Sequence, residues 1–304
     1  MRERALGKRM ASLSPEKREL LERLLRDGGL SGDVPVVPRA STSTPPALSF
    51  AQQRLWLLDQ LEPGSTSFNI CSAFRLGGRL DRVALERSLN EIVRRHEALR
   101  TTFTLVAGKP VQVIAPVLSI PLPAREIPGG TEEQRAAALQ SAIRDEAERS
   151  FDLARGPLLR TVLLPLAPDD HVLVLTVHHV VYDGWSVGVL MRELGLLYEA
   201  FSSGQDSPLP ELQVQYADYA VWQRSWLQGE GLARLVSYWR QKLGDPLPAM
   251  LELPTDQPRP ALPELVDALQ HTVFALGRAH CFGTQACAPF SGRDICSCAT
   301  DHSR

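Results

Sequence analysis

Residues 171–190 read HVLVLTVHHVVYDGWSVGVL, and the change of period along this run decides the architecture. From His171 to His178 aliphatic and β-branched residues crowd together, as in a buried strand. Further on, Val187, Leu190, Met191, Leu194 and Leu197 recur at helical spacing, with Ser186 read as the cap. Between the two lies His178-His179-Val180-Val181-Tyr182-Asp183-Gly184, where a strand gives way to a loop and then a helix, a frequent setting for catalytic groups. Strand alternation points neighbouring side chains to opposite faces. If the strand persists through His179, the two histidines cannot share one ligand, which leaves one structural ring and one available ring. Asp183 can orient a ring or hold the loop, and Gly184 permits an approach that a Cβ would obstruct.

Working outward, Leu158 to Leu164 and His171 to His178 read as a hairpin turning through Pro168-Asp169-Asp170. Upstream, residues 69–76 predict a strand, and Asp81 caps a helix with apolar positions Leu85, Leu89, Ile92 and Val93. Strands are expected near 101–106 and 110–115 around Gly108, and helices over 132–149, 215–228 and 231–243. Strands and helices in this order imply an α/β sandwich in which helices cover a mixed sheet. Residues 1–30 read as an N-terminal segment with a helix over 14–29, and 31–47 as a Pro-rich linker. The compact part is expected over 48–260. Residues 261–304 lose periodicity and collect Cys281, Cys287, Cys296 and Cys298, so they are expected to lack order.

The chain has 304 residues, 44% hydrophobic and 22% charged, enough apolar content for a sizeable core. A net charge of -2 offers no general attraction to nucleic acid or anionic membrane. No apolar run approaches the ~20 residues that span a bilayer, and the basic start lacks an apolar signal region, so a cytoplasmic protein is expected. The late cysteines show neither CxxC nor HxxxH spacing, which argues against a metal site.

The run His178 to Gly184 resembles the HHxxxDG signature of the condensation domains of non-ribosomal peptide synthetases. Three more segments resemble that family's motifs, in its order: Leu48 to Trp56, Arg95 to Phe103, and Tyr216 to Arg224. Taken singly each has a plainer account, with Trp56 and Trp222 as core anchors and Arg95, Glu97 and Arg100 as a solvated helix end. The resemblance covers about residues 48–260. It implies a chloramphenicol acetyltransferase-like α/β sandwich, one lobe of a two-lobe domain. The second lobe and its later motifs have no counterpart here. That implies a truncated or frame-shifted copy, weakly active or inert alone, with exposed apolar surface and a separately encoded second lobe as a partner.

The resemblance also implies a reaction. Upstream and downstream peptidyl carrier proteins present acyl and aminoacyl thioesters on phosphopantetheine arms, and the acceptor amine attacks the donor carbonyl. No cofactor is bound by the chain itself. His179 then faces the tunnel and orients or deprotonates the amine, while the Gly184 amide stabilises the oxyanion. His178, Asp183, Arg95 and Arg100 support the site, with Asp183 expected to pair with Arg95 or Arg100. Trp185, Ser186 and Trp222 are tunnel or packing positions. A free α-amino group has a pKa of about 7.7–8.0, so alignment of two tethered reactants is expected to outweigh proton removal. Three rival readings stand beside this one: a coenzyme A-dependent acyltransferase of the same superfamily, a non-catalytic carrier-binding lobe, and a serine hydrolase using Ser186 within Gly184-Trp185-Ser186-Val187-Gly188.

Overall fold

A computed structural model of the chain describes residues 44–244 and 275–280. The helix expected over 14–29 and most of the Pro-rich linker lie outside the described residues. The elements are α1 (Phe50–Leu61), β1 (Asn69–Gly77), α2 (Arg82–Arg95), a 3-10 turn (Glu97–Arg100), β2 (Thr101–Val106), β3 (Lys109–Ile114), α3 (Glu132–Ala147), β4 (Leu159–Ala167), β5 (Asp170–His178), α4 (Gly184–Ser202), α5 (Tyr216–Trp226), α6 (Gly229–Leu243) and β6 (Ala275–His280).

The main sheet has the order β4-β5-β1-β6. β4 and β1 flank β5 antiparallel, while β6 runs parallel to β1, so the sheet is mixed. The expected hairpin is present and extends further than its sequence signal, with Ala167 opposite Asp170 across the turn. Residues 275–280, expected to lack order, form the sheet-edge strand β6 through backbone pairing to β1.

Alternation along β5 explains why both faces are covered. Leu173, Leu175 and Val177 join a core with Leu85, Leu89, Ile92 and Val93 of α2 and Leu190, Leu194 and Leu197 of α4. Val172 and Val174 face the other way, against Ala142 and Ala147 of α3. A strand buried on both faces reads as the near-continuous apolar run seen here. Asp81 caps α2 as expected, its side chain accepting from the Ala84 amide at 3.0 Å. Each fully buried Leu, Ile or Val contributes about 1.5–3 kcal/mol, so these two layers fix the end of β5 firmly.

Helix α1 went unread as a helix in the sequence. Ser49 caps it in a reciprocal box with Gln52, and both are buried. A third core, of Leu48, Leu55, Phe103, Phe151, Leu153, Leu158 and Val180, sets α1 behind the turn that follows β5. The end of the linker is not free: Ala47 bridges to Val111, and the Pro46 carbonyl accepts from the Gln112 amide at 2.8 Å.

Candidate active site

The site forms where β5 ends. His178 completes the strand at 2% exposure, between the rings of Phe68 and Phe151. Its Nδ1 accepts from the Val180 amide at 3.1 Å. Burial, and then the neighbouring His179, hold the His178 imidazolium down, with the pKa lowered to about 4. This ring is neutral, enclosed and structural.

His179 takes the opposite role. Its backbone N–H donates to the Phe68 carbonyl at 2.8 Å, which ties the turn to the chain before β1. The side chain is exposed, and its Nδ1 lies 2.8 Å from the Tyr182 carbonyl oxygen. A carbonyl can only accept, so Nδ1 carries a proton, and in the neutral form of the ring the lone pair stands at Nε2. Among the described residues Nε2 has no hydrogen-bond partner. A backbone carbonyl thus fixes both the tautomer and the orientation of the exposed imidazole. Tyr182 itself is buried, and burial followed by the charge of Asp183 pushes its phenol well above the ordinary range.

Asp183 pairs with neither Arg95 nor Arg100, contrary to expectation. It is the N-cap of α4, accepting from the Ser186 amide at 2.9 Å and the Ser186 hydroxyl at 2.6 Å. The cap is therefore Asp183 and not Ser186, which sits in the first turn and completes a reciprocal box. Burial pushes the Asp183 carboxyl up, but the Ser186 hydroxyl and amide and the nearby His179 together hold it below its usual value. Helix α4 begins at Gly184, so its first amides point from the positive end of the helix dipole beside His179. A Cβ on Gly184 would meet nothing among the described residues within 4 Å. Any need for glycine there comes from what approaches.

Arg95 and Arg100 make their polar contacts away from Asp183. Arg95 is buried, its Nε 3.4 Å from Glu193 of α4, which also meets His96 Nε2 at 2.8 Å. Its Nη1 donates to the Pro210 carbonyl at 2.8 Å. Arg100 holds the Ala115 carbonyl and lies 3.4 Å from Glu97. Neither reading of these residues was complete: Arg95 is no solvated helix end, and its acid is Glu193. A carboxylate on the face of α4 that carries Leu190, Leu194 and Leu197 was the available signal, since a buried charge needs a partner.

Trp185 is 85% exposed at the first turn of α4, so it is no core anchor among the described residues. Trp222 is half-buried and stacks on Trp226 at 5.5 Å, in a row that continues to Tyr219 and Tyr216. The segments containing Trp56 and Trp222 meet directly. Ser49 Oγ lies 3.0 Å from the Tyr216 hydroxyl, the Phe50 amide donates to Gln223 Oε1 at 3.0 Å, and Arg224 donates to the Leu48 carbonyl. Among the described residues no three His, Cys, Asp or Glu side chains are grouped to hold a metal ion, and no helix is long and apolar enough to cross a membrane.

The family model described as the Condensation domain matches residues 43–278. A linear gramicidin synthase of Brevibacillus parabrevis is 47% identical over 261 residues, covering 85% of this chain and 3% of that protein. Phosphinothricin tripeptide synthetase PhsC of Streptomyces viridochromogenes is 44% identical over 84% of this chain and 24% of its own length. Among solved structures, the X-domain from teicoplanin biosynthesis superposes with a TM-score of 0.65 at 32% identity, covering 75% of this chain and 50% of that one. The starter condensation domain of rhizomide synthetase shares the fold, with a TM-score of 0.60 at 23% identity. The chain therefore spans about half the length of these solved neighbours and a small fraction of the synthetases.

Proposed function

This chain belongs to the condensation-domain family, and from that premise we propose that it takes part in amide-bond formation in non-ribosomal peptide biosynthesis. The acceptor is a carrier-bound amine and the donor a carrier-bound acyl thioester, each on a phosphopantetheine arm. The nitrogen lone pair attacks the thioester carbonyl, the C–S bond breaks, and the donor thiol leaves with the proton that the amine loses.

The observation that carries this reading is the Tyr182 carbonyl latch on His179 Nδ1. It leaves Nε2 as an acceptor for the N–H of the attacking amine, which orients that nitrogen and can take its proton. General-base help is typically worth ~100- to 10,000-fold, and alignment of tethered reactants can contribute more. Positioning is the larger part here. The Gly184 amide at the start of α4 is the donor offered to the developing oxyanion. Because His179 stands on an open face, water competes for the same positions, and turnover by this chain alone is slow.

The hydrolase alternative gains no support from Ser186. That residue lies inside the first turn of α4, and its hydroxyl is donated to Asp183 with no imidazole partner among the described residues. The nucleophile-elbow reading needs a base at that oxygen.

The test is single-turnover transfer between two loaded carrier proteins in the presence of the full chain. We expect amide product above the protein-free background, reduced to that background by His179→Ala and retained in Gly188→Ala. Product formation indifferent to His179→Ala would refute the proposal.

A further inference from the structure

We infer that Tyr216 is a substrate-holding residue of the His179 site, its hydroxyl hydrogen offered to the carbonyl of a pantetheine-borne acyl group; the inference rests on the acyl-transfer reading above. Three observations lead to it.

The first is the direction of one hydrogen bond. Ser49 is fully buried, so its hydroxyl hydrogen has no access to water. Its Oγ already accepts from the Gln52 amide at 3.1 Å, as a cap does. Among the described residues its other hydrogen-bond partner is the Tyr216 hydroxyl oxygen at 3.0 Å. A buried hydroxyl left without an acceptor costs about 1–3 kcal/mol. Ser49 therefore donates and Tyr216 accepts, which leaves the phenol hydrogen without an acceptor among the described residues.

The second observation is place. Tyr216 opens α5, is 37% exposed, and lies within electrostatic reach of Asp183, which in turn acts on His179. Leu48, one residue before the cap, shares a core with Val180 in the turn that carries His179. The phenol and the imidazole are thus linked through Asp183 on one side and the Leu48–Val180 core on the other. The third is rigidity. Gln215, just before Tyr216, is clamped to the Arg95 carbonyl at 2.8 Å and to the Glu97 amide at 3.1 Å. A donor held from both sides loses little entropy when a ligand accepts from it.

The test is alkylation of His179 in the full chain, followed by site-resolved mass spectrometry. The probes are a bromoacetamide carried on a pantetheine arm and bromoacetamide itself. In each, Nε2 displaces bromide from the methylene carbon, and the ring then loses its Nδ1 proton. We expect the tethered probe to label wild-type His179 at least tenfold faster than the free one. Tyr216→Phe should cut the tethered rate about threefold to tenfold, the worth of one hydrogen bond, and leave the free rate unchanged. An unchanged tethered rate in Tyr216→Phe, with the wild-type preference intact, overturns the inference alone. An equal fall in both rates assigns Tyr216 to holding the imidazole and overturns it as well. A wild-type chain without preference for the tethered probe overturns the acyl-transfer reading, and the inference with it.

Discussion

Asp183→Asn alters charge with little change of shape, and it separates two accounts of the aspartate in the His178 to Gly184 run. If Asp183 were half of a buried ion pair with Arg95 or Arg100, neutralising it would strand a guanidinium at a cost of about 3–5 kcal/mol. In the structure it caps α4, accepting from the Ser186 amide and hydroxyl. Asparagine caps helices about as well as aspartate, and alanine costs about 0.5–2 kcal/mol. We therefore expect Asp183→Asn to fall within about 0.5 kcal/mol of wild type and Asp183→Ala to lose about 1–2 kcal/mol. For a domain of this size that corresponds to a fall of roughly 2–8 °C in Tm for alanine. Urea unfolding followed by tryptophan emission reads the difference, with an unchanged m-value as the check on a two-state comparison. There is a pH arm as well. The folded carboxyl titrates below its usual value, so its charge-dependent stabilisation is present above the unfolded carboxylate pKa of about 3.9 and is lost as pH falls through the lower folded value. Asp183→Asn should lack that acid-side loss. A cost of about 3 kcal/mol or more for Asp183→Asn, or equal losses for Asn and Ala, would refute the capping account.

Three further outcomes follow from the same geometry. His178 has its folded pKa lowered to about 4, so the unfolded chain binds a proton between roughly pH 6.5 and 4 that the folded chain does not, and stability should drop as pH falls through that window. His178→Asn keeps an acceptor for the Val180 amide, and urea midpoints at about pH 6.5 and about pH 4.5 should differ less in it than in wild type. Ser186→Ala should leave amide formation within about twofold of wild type, because the Asp183 cap on the backbone amide persists, and wild-type Ser186 should resist a fluorophosphonate probe. Labelling at that residue would return the hydrolase reading to contention. Glu193→Leu strands the buried Arg95 and should cost about 3–5 kcal/mol, whereas Arg95→Met with Glu193→Leu should recover much of it; a double-mutant cycle by urea unfolding measures the coupling.

The architecture was legible where a period was imposed by burial. Leu85, Leu89, Ile92 and Val93 form one helical stripe in the sequence and are all buried in α2, and the doubly buried β5 showed as an unbroken apolar run. Helix α1 was missed because its buried positions do not alternate as apolar and polar. Gln52 is 1% exposed there, held by the cap and by Gln112 at 3.4 Å, while Leu57 and Leu61 are exposed. A buried amide satisfied by tertiary partners leaves no trace in a hydrophobic pattern. The cap of α4 was misplaced by three residues for a related reason. Asp183 and Ser186 are both good caps, and the reciprocal box uses both, so local chemistry alone does not choose between them.

At the site, residue types were legible and pairings were not. An aspartate-glycine step after two histidines says that a charge and an open backbone stand beside an imidazole, but the partner of each charge is a long-range fact. Arg95 meets Glu193, 98 positions away, because α2 packs on α4 through their apolar faces. The four motif segments then sort by what they touch. Residues 178–184 hold the imidazole, its tautomer and the first amides of α4. The segment after Leu48 and the segment after Tyr216 are cross-linked by Ser49–Tyr216 and Arg224–Leu48. The segment from Arg95, through Pro210 and Gln215, fixes where α5 begins. Under the proposed function, four segments that read in sequence as one catalytic signature are one reacting group and three levels of support. Their effects on rate should differ in kind, because displacing a support moves the site's geometry while the Nε2 lone pair remains.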